Sequence, residues 1–173
     1  MNKGYTEEDE YKQLEKLSKS GISYVALLMG GVAGYENSKQ HVYYTSKLLN
    51  KFPPKMISII STGVATGTVL YEMEKNGEFD QLTERQLVEE EIMLLKELEM
   101  PDDCYFFGAH QNNLVKVWDY FKNKEDMICS LENGLKDVEF SHPDILDVKL
   151  KREGVWAFFI FLIFLHILFL FLF

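Results

Sequence analysis

The stretch 27-LLMGGVAGYENSKQH-41 decides how the chain is read. The apolar run 24-YVALLM-29 meets three glycines, Gly30, Gly31 and Gly34, and then a polar segment with helical spacing. Strand, glycine loop, helix is the layout that brings backbone N–H groups to a ligand at the end of a sheet. The loop lacks the lysine and spacing of GxxxxGK(S/T), and it does not fit GxGxxG. A phosphate cradle of either kind is therefore excluded. A tight turn and a ligand loop both stay open.

Outward from this stretch the same alternation repeats. Residues 5–20 read as a helix, with Thr6 as N-cap, an acidic first turn and Gly21 as the stop. Residues 22–29 form the first expected strand, 36–52 the following helix, and Pro53 and Pro54 end it. The run 55-KMISIIS-61 is a second strand, followed by the loop 62-TGVATGT-68. A short helix over 69–76 precedes the strongest helix, 83–100, where Thr83 and Gln86 fit a capping box. The segment 104-CYFFGA-109 is the third expected strand and 124–135 the last helix before the tail. Alternation of this kind predicts an α/β fold with about three parallel strands and crossover helices. The strands are continuously apolar, as expected where both faces are covered.

Composition limits the function. The 173 residues carry a net charge of −9, against the basic stripe that holding nucleic-acid phosphates requires, so no nucleic-acid partner is expected. Cys104 and Cys129 form no CxxC pair. The polar, acidic start carries no secretory signal, and a cytoplasmic soluble part is expected. The tail 155-VWAFFIFLIFLHILFLFLF-173 is apolar except for His166, and as a helix it would reach roughly 28 Å, near the thickness of a bilayer core. Lys149, Lys151 and Arg152 precede it, so membrane insertion with the soluble part inside is expected. His166 reads as a tolerated polar residue rather than a functional one. The boundaries expected are 1–140 for the sheet-bearing part, 141–154 for a linker and 155–173 for the transmembrane helix.

Other candidates are weighed by residue type. Cys104 and His110 have the chemistry of a nucleophile and its base, but the place of Cys104 at a strand start favours a buried, inert thiol. The run 89-EEE-91 reads as a solvated helix face, with Glu91 nearest the core. The loops after the first two strands should lie side by side at one end of the sheet.

Several segments taken in order resemble the C-terminal half of radical S-adenosylmethionine proteins, and are most similar to oxygen-independent coproporphyrinogen oxidase-like iron–sulfur oxidoreductases. They are 2-NKGYTEEDEYKQLEKLSKSGI-22, 28-LMGGVAGYENSKQHVYYTSKLLNKFPP-54, 59-IISTGVATGTVLYEMEKNGEF-79 and 86-QLVEEEIMLLKELEMPDDCYFFGAHQNN-113. The resemblance implies part of a six-stranded βα barrel binding S-adenosylmethionine beside a 4Fe–4S cluster. Gly30, Val32 and Gly34 resemble the family's GxIxGxxE segment, although Glu36 comes one position early. With Gly31, Thr62 and Gly63 they are the cofactor-binding residues the resemblance implies. His110 and Asn113 match a family feature without an assigned role. The family's CxxxCxxC motif is absent, so the resemblance implies a truncated chain, inactive alone, with no catalytic or metal-binding residue of its own. A second chain supplying the front half of the barrel is the implied partner. Out-of-frame reading through AT-rich sequence would account for the tail. The alternative is a tail-anchored cytosolic binding module without catalysis.

Overall fold

The computed structural model describes Gly4 and residues 6–149. The first helix, α1 (Glu7–Lys19), starts at a reciprocal cap: the Asp9 N–H donates to the Thr6 hydroxyl at 3.2 Å, and the Thr6 N–H donates to the Asp9 carboxylate at 3.0 Å. Its other end closes with Gly21 at φ +64°, the Ile22 N–H donating to Leu17 and the Gly21 N–H to Ser18. That closure takes up Ile22, so strand β1 (Val25–Gly30) begins three residues later than the apolar run suggests.

A 3-10 turn (Tyr35–Asn37) leads into α2 (Ser38–Lys51), then β2 (Met56–Ser61), α3 (Val69–Lys75) and α4 (Glu84–Glu97). The capping box expected at Thr83 and Gln86 is present. Helix α4 stops before residue 100 because Asn50 intercepts it. Its side-chain amide donates to the Glu97 carbonyl at 2.9 Å and its Oδ1 accepts from the Glu99 N–H at 2.8 Å. Strand β3 (Tyr105–Phe107) and strand β4 (Trp118–Tyr120) follow, then α5 (Lys124–Ser141) and α6 (Pro143–Leu146).

The sheet order is β1-β2-β3-β4, with β1, β2 and β3 parallel and β4 antiparallel to β3. The α/β expectation holds as a mixed, mostly parallel sheet, with one strand more than the sequence suggests. The expected C-terminal hydrophobic helix and His166 lie outside the described residues. Among the described residues no helix is long and apolar enough to cross a membrane.

Helices α2, α4 and α5 cover one face of the sheet. Val42 and Leu49, Val88, Leu94 and Leu95, and Met127, Ile128 and Leu131 pack there against Ala26, Ile57, Ile59 and Phe106. Helix α5 comes close enough only because residue 134 is glycine. A Cβ there would stand 2.6 Å from a Val115 methyl. The segment expected as a linker contains α6, whose Leu146 is fully buried, and the Val148 carbonyl accepts from the Glu84 N–H at the start of α4.

The opposite face has no such cover among the described residues. Register places Val25, Met56, Tyr105 and Tyr120 in one row and Leu27, Ser58, Phe107 and Trp118 in the next. Leu27 is 77% exposed and Trp118 57%. Continuous apolarity thus marks two apolar faces here, of which the described helices cover one.

Candidate functional site at the C-terminal ends of the strands

The loops after β1 and β2 lie together as expected. The Thr62 N–H donates to the Gly30 carbonyl at 2.8 Å. Gly31 and Gly34 have φ of +75° and +77°, a region that favours glycine. A Cβ on Gly31 would also meet a Leu87 methyl at 2.6 Å, and one on Gly34 would lie 3.2 Å from the Asp80 carbonyl.

The loop is held from behind. The Gly31 N–H donates to Glu90 Oε1 at 2.7 Å, and the Ser38 hydroxyl donates to Glu90 Oε2. His41 Nδ1 stands 3.7 Å from Glu90 Oε1. Glu90 is 3% exposed. Burial works to raise its pKa, but His41, the Ser38 hydroxyl and the Gly31 N–H outweigh it and hold the carboxyl below the ordinary glutamate value. Two further donors are also taken: the Gly34 N–H donates to Gly31, and the Tyr35 N–H to Asp80. The Gly31 N–H that a ligand would meet is therefore occupied by a carboxylate of α4. Val32 is half-buried, and Thr62 and Gly63 are buried. The Thr62 hydroxyl has no hydrogen-bond partner among the described residues.

Asn113 has a definite role. Its Oδ1 accepts from the Ser61 N–H at 2.8 Å, and its amide donates to the carbonyls of Ile59 at 3.1 Å and Gly108 at 2.8 Å. One buried side chain thus ties together the ends of β2 and β3. His110 shapes the turn leading to it, with Nδ1 accepting from the Asn112 N–H at 3.2 Å and its carbonyl from the Asn113 N–H at 3.0 Å.

The Cys104–His110 pair does not assemble. Cys104 precedes β3 and His110 follows it, so an extended strand of roughly 20 Å separates them. Burial pushes the Cys104 thiol up to about 11. Cys129 is exposed.

The glutamate run is mostly interior rather than solvated. Glu89 is exposed, but Glu90 and Glu91 are buried. Glu91 faces Gly108, where any Cβ would collide with its carboxyl, and its Oε1 has no hydrogen-bond partner among the described residues. Burial raises its pKa to about 8, which leaves it a neutral acid at pH 7. Its position on the apolar stripe of α4, four residues after Leu87 and three before Leu94, is the signal that placed it nearest the core in the sequence, and the structure buries it there. Glu90 carried no such signal, because its partners Gly31 and Ser38 lie more than fifty residues away.

Beside the loop, between the 3-10 turn and the starts of α2 and α4, is a cleft of about 350 Å³. Glu36, Glu89 and Glu90 line it, with Lys39 as its one basic side chain. This surface suits a small neutral or cationic group better than a phosphate.

The chain is 33% identical over 172 aligned residues to a Methanocaldococcus jannaschii protein named tRNA uridine(34) acetyltransferase, a match covering 87% of this chain and 31% of that protein. It is also 33% identical over 176 aligned residues to a Methanocaldococcus infernus protein of the same name, covering 90% of this chain and 32% of that one. The chain thus spans about a third of the length of the curated relatives it matches. No family model and no solved structure matches it.

These names overturn the functional expectation. The relatives are named as tRNA acetyltransferases, not as coproporphyrinogen oxidase-like radical S-adenosylmethionine proteins, and the oxidoreductase reading is withdrawn. S-adenosylmethionine and the 4Fe–4S cluster go with it as expected cofactors. The non-catalytic tail-anchored module is equally unsupported by relatives named as enzymes. The reading failed for a physical reason. The segments that carry the resemblance are strand–loop–helix joints, and such joints serve many chemistries on α/β folds.

Proposed function

We propose that this chain is the sheet-bearing portion of an enzyme that transfers an acetyl group to uridine 34 of tRNA. The observation that carries the reading is the 33% identity to two enzymes of that name along nearly nine-tenths of the chain. Such a transfer needs an activated acetyl donor, an acyl thioester being the usual chemical class. The braced loop Gly30–Gly34, with Thr62 and Gly63 beside it, supplies a rigid wall at the strand ends where α/β proteins place their ligands. The acidic composition and the carboxylate-lined cleft support leaving the tRNA phosphates to another part of the enzyme. A tRNA-modifying role supports a cytoplasmic location for this portion.

The test is a chimera. The matched segment of the Methanocaldococcus jannaschii enzyme is replaced by residues 1–149 of this chain, and labelled acetyl transfer to tRNA uridine is measured. Retained transfer, within about tenfold of the parent, is expected. A chimera that folds by circular dichroism and thermal melting but transfers nothing would overturn the proposal.

A further inference from the structure

The open face of the sheet is built as an interior. Alternation and register put Val25, Leu27 and Met29, Met56, Ser58 and Ile60, Tyr105 and Phe107, and Trp118 and Tyr120 on it. None of these ten side chains is charged. The Tyr105 and Tyr120 rings meet edge to face at 5.2 Å, so the face already packs with itself. Strand β1 lies at one end of the sheet order, with its outer edge unpaired among the described residues. Edge strands exposed to water are ordinarily blunted by charges or proline. Here 25-VALLMG-30 has neither.

We propose that this face and the β1 edge are the docking surface for further strand-and-helix polypeptide, the part of the acetyltransferase relatives that this chain does not span. The inference rests on the proposed function and deepens it. Three observations select this occupant. The relatives carry roughly twice as much additional polypeptide as they share with this chain. None of the ten side chains is a cation, and the one recorded against them, Lys122 Nζ at 5.9 Å over the Tyr120 ring, falls short of the row of positive charge that an RNA backbone needs. Two strands of six residues and two of three, spaced about 4.8 Å apart, present only roughly 290 Å², well short of the roughly 800 Å² per partner that a stable pair of copies needs. A sheet extended past β1 supplies backbone hydrogen bonds as well as apolar cover, so a small face suffices.

Leu27→Glu tests this in two settings. In the 173-residue chain the side chain is 77% exposed, and the melting temperature should move by no more than about 2 °C. In the chimera described above the same substitution would bury a carboxylate in an apolar layer, and the melting temperature should fall by about 10 °C or more. A photo-crosslinking residue at position 27 of the chimera should label the relative's own polypeptide. Three results would overturn the proposal: an equal, small shift in both settings, crosslinks from the chimera only to a second copy, or, with the same crosslinker in the 173-residue chain, crosslinks to its own residues 155–173. Acetyl transfer by the unsubstituted chimera reports on the function alone. The difference between it and its Leu27→Glu form reports on the face, so the two readings fail separately.

Discussion

Glu91 should make the fold less stable as pH rises through neutrality. Its carboxyl is buried against Gly108 without a charge partner among the described residues, and its pKa moves from 4.5 to about 8. Below pH 4.5 the folded and unfolded chains both hold the proton, and Glu91 adds no pH dependence. Between 4.5 and about 8 the unfolded chain releases it while the folded chain keeps it. Unfolding is then favoured by about 1.4 kcal/mol per pH unit, because stability falls wherever the native state binds more protons. The full cost, reached above pH 8, is about 5 kcal/mol, a large part of the 5–15 kcal/mol of an ordinary domain. Glu91→Gln keeps the shape and removes the ionisation. At pH 5 the variant should equal the parent or lose about 1 kcal/mol, because an amide replaces a neutral acid in an unpaired setting. By pH 8.5 it should be the more stable by about 3–5 kcal/mol. Urea unfolding followed by circular dichroism, at pH steps from 5 to 8.5, gives both curves, and their difference cancels every titration they share. A difference curve that is flat over this range, or that slopes the other way, would refute the reasoning.

Substitutions at two further positions, Gly31 and Asn113, probe the sheet end. Gly31→Ala forces a side chain into a positive-φ position and against a Leu87 methyl, and should cost about 2–4 kcal/mol in urea unfolding. In a Leu87→Ala background only the backbone strain remains, so the same substitution should cost about 1–2 kcal/mol there; equal costs in both backgrounds would remove the contact from the account. Asn113→Ala leaves the Ser61 N–H without its acceptor and should cost about 2–4 kcal/mol. Asn113→Asp should be worse than Ala at pH 7, because a carboxylate would face the Ile59 and Gly108 carbonyls, and should recover at pH 4. Melting temperatures of the two variants across that range check the order.

Local signals in the sequence located the elements whose causes are local. The cap at Thr6, the capping box at Thr83 and Gln86, and the glycine that ends α1 are written within a few residues of where they act. What stayed hidden has distant causes. Strand β4 is three residues long, and only its pairing with β3 makes it a strand. Helix α5 runs six residues beyond its expected end at 135. Gly134 reads locally as a breaker, yet it is where the helix admits the methyls of Val115. Glu90 read as solvated charge, because the Gly31 N–H is not visible from the run itself; helical spacing placed Glu91 nearest the core, but not the gap at Gly108 that it faces. The Gly30–Gly34 turn was legible as a corner. Its brace was not, and the brace determines what the corner can offer.

That brace redirects where ligand chemistry can enter. A glycine loop offers a ligand its N–H groups, but the Gly31 N–H points back into Glu90, and Asn113 consumes the Ser61 N–H in the same way. Both use a buried side chain to satisfy a strand-end donor from within. They take the Gly31 and Ser61 N–H groups out of a ligand's reach and fix the strand ends where the loops begin. Two of the openings through which a ligand or partner could reach this portion bear on RNA. One is the acidic cleft beside Tyr35 and Gln86; the other is the open side of the sheet below the loops. The cleft repels phosphate and the open side is apolar, so neither suits the backbone of an RNA. In an enzyme working on tRNA, this portion therefore belongs behind the reacting groups. On the proposed reading it holds the strand ends fixed, and the basic surface that the tRNA requires has to come from elsewhere in the enzyme.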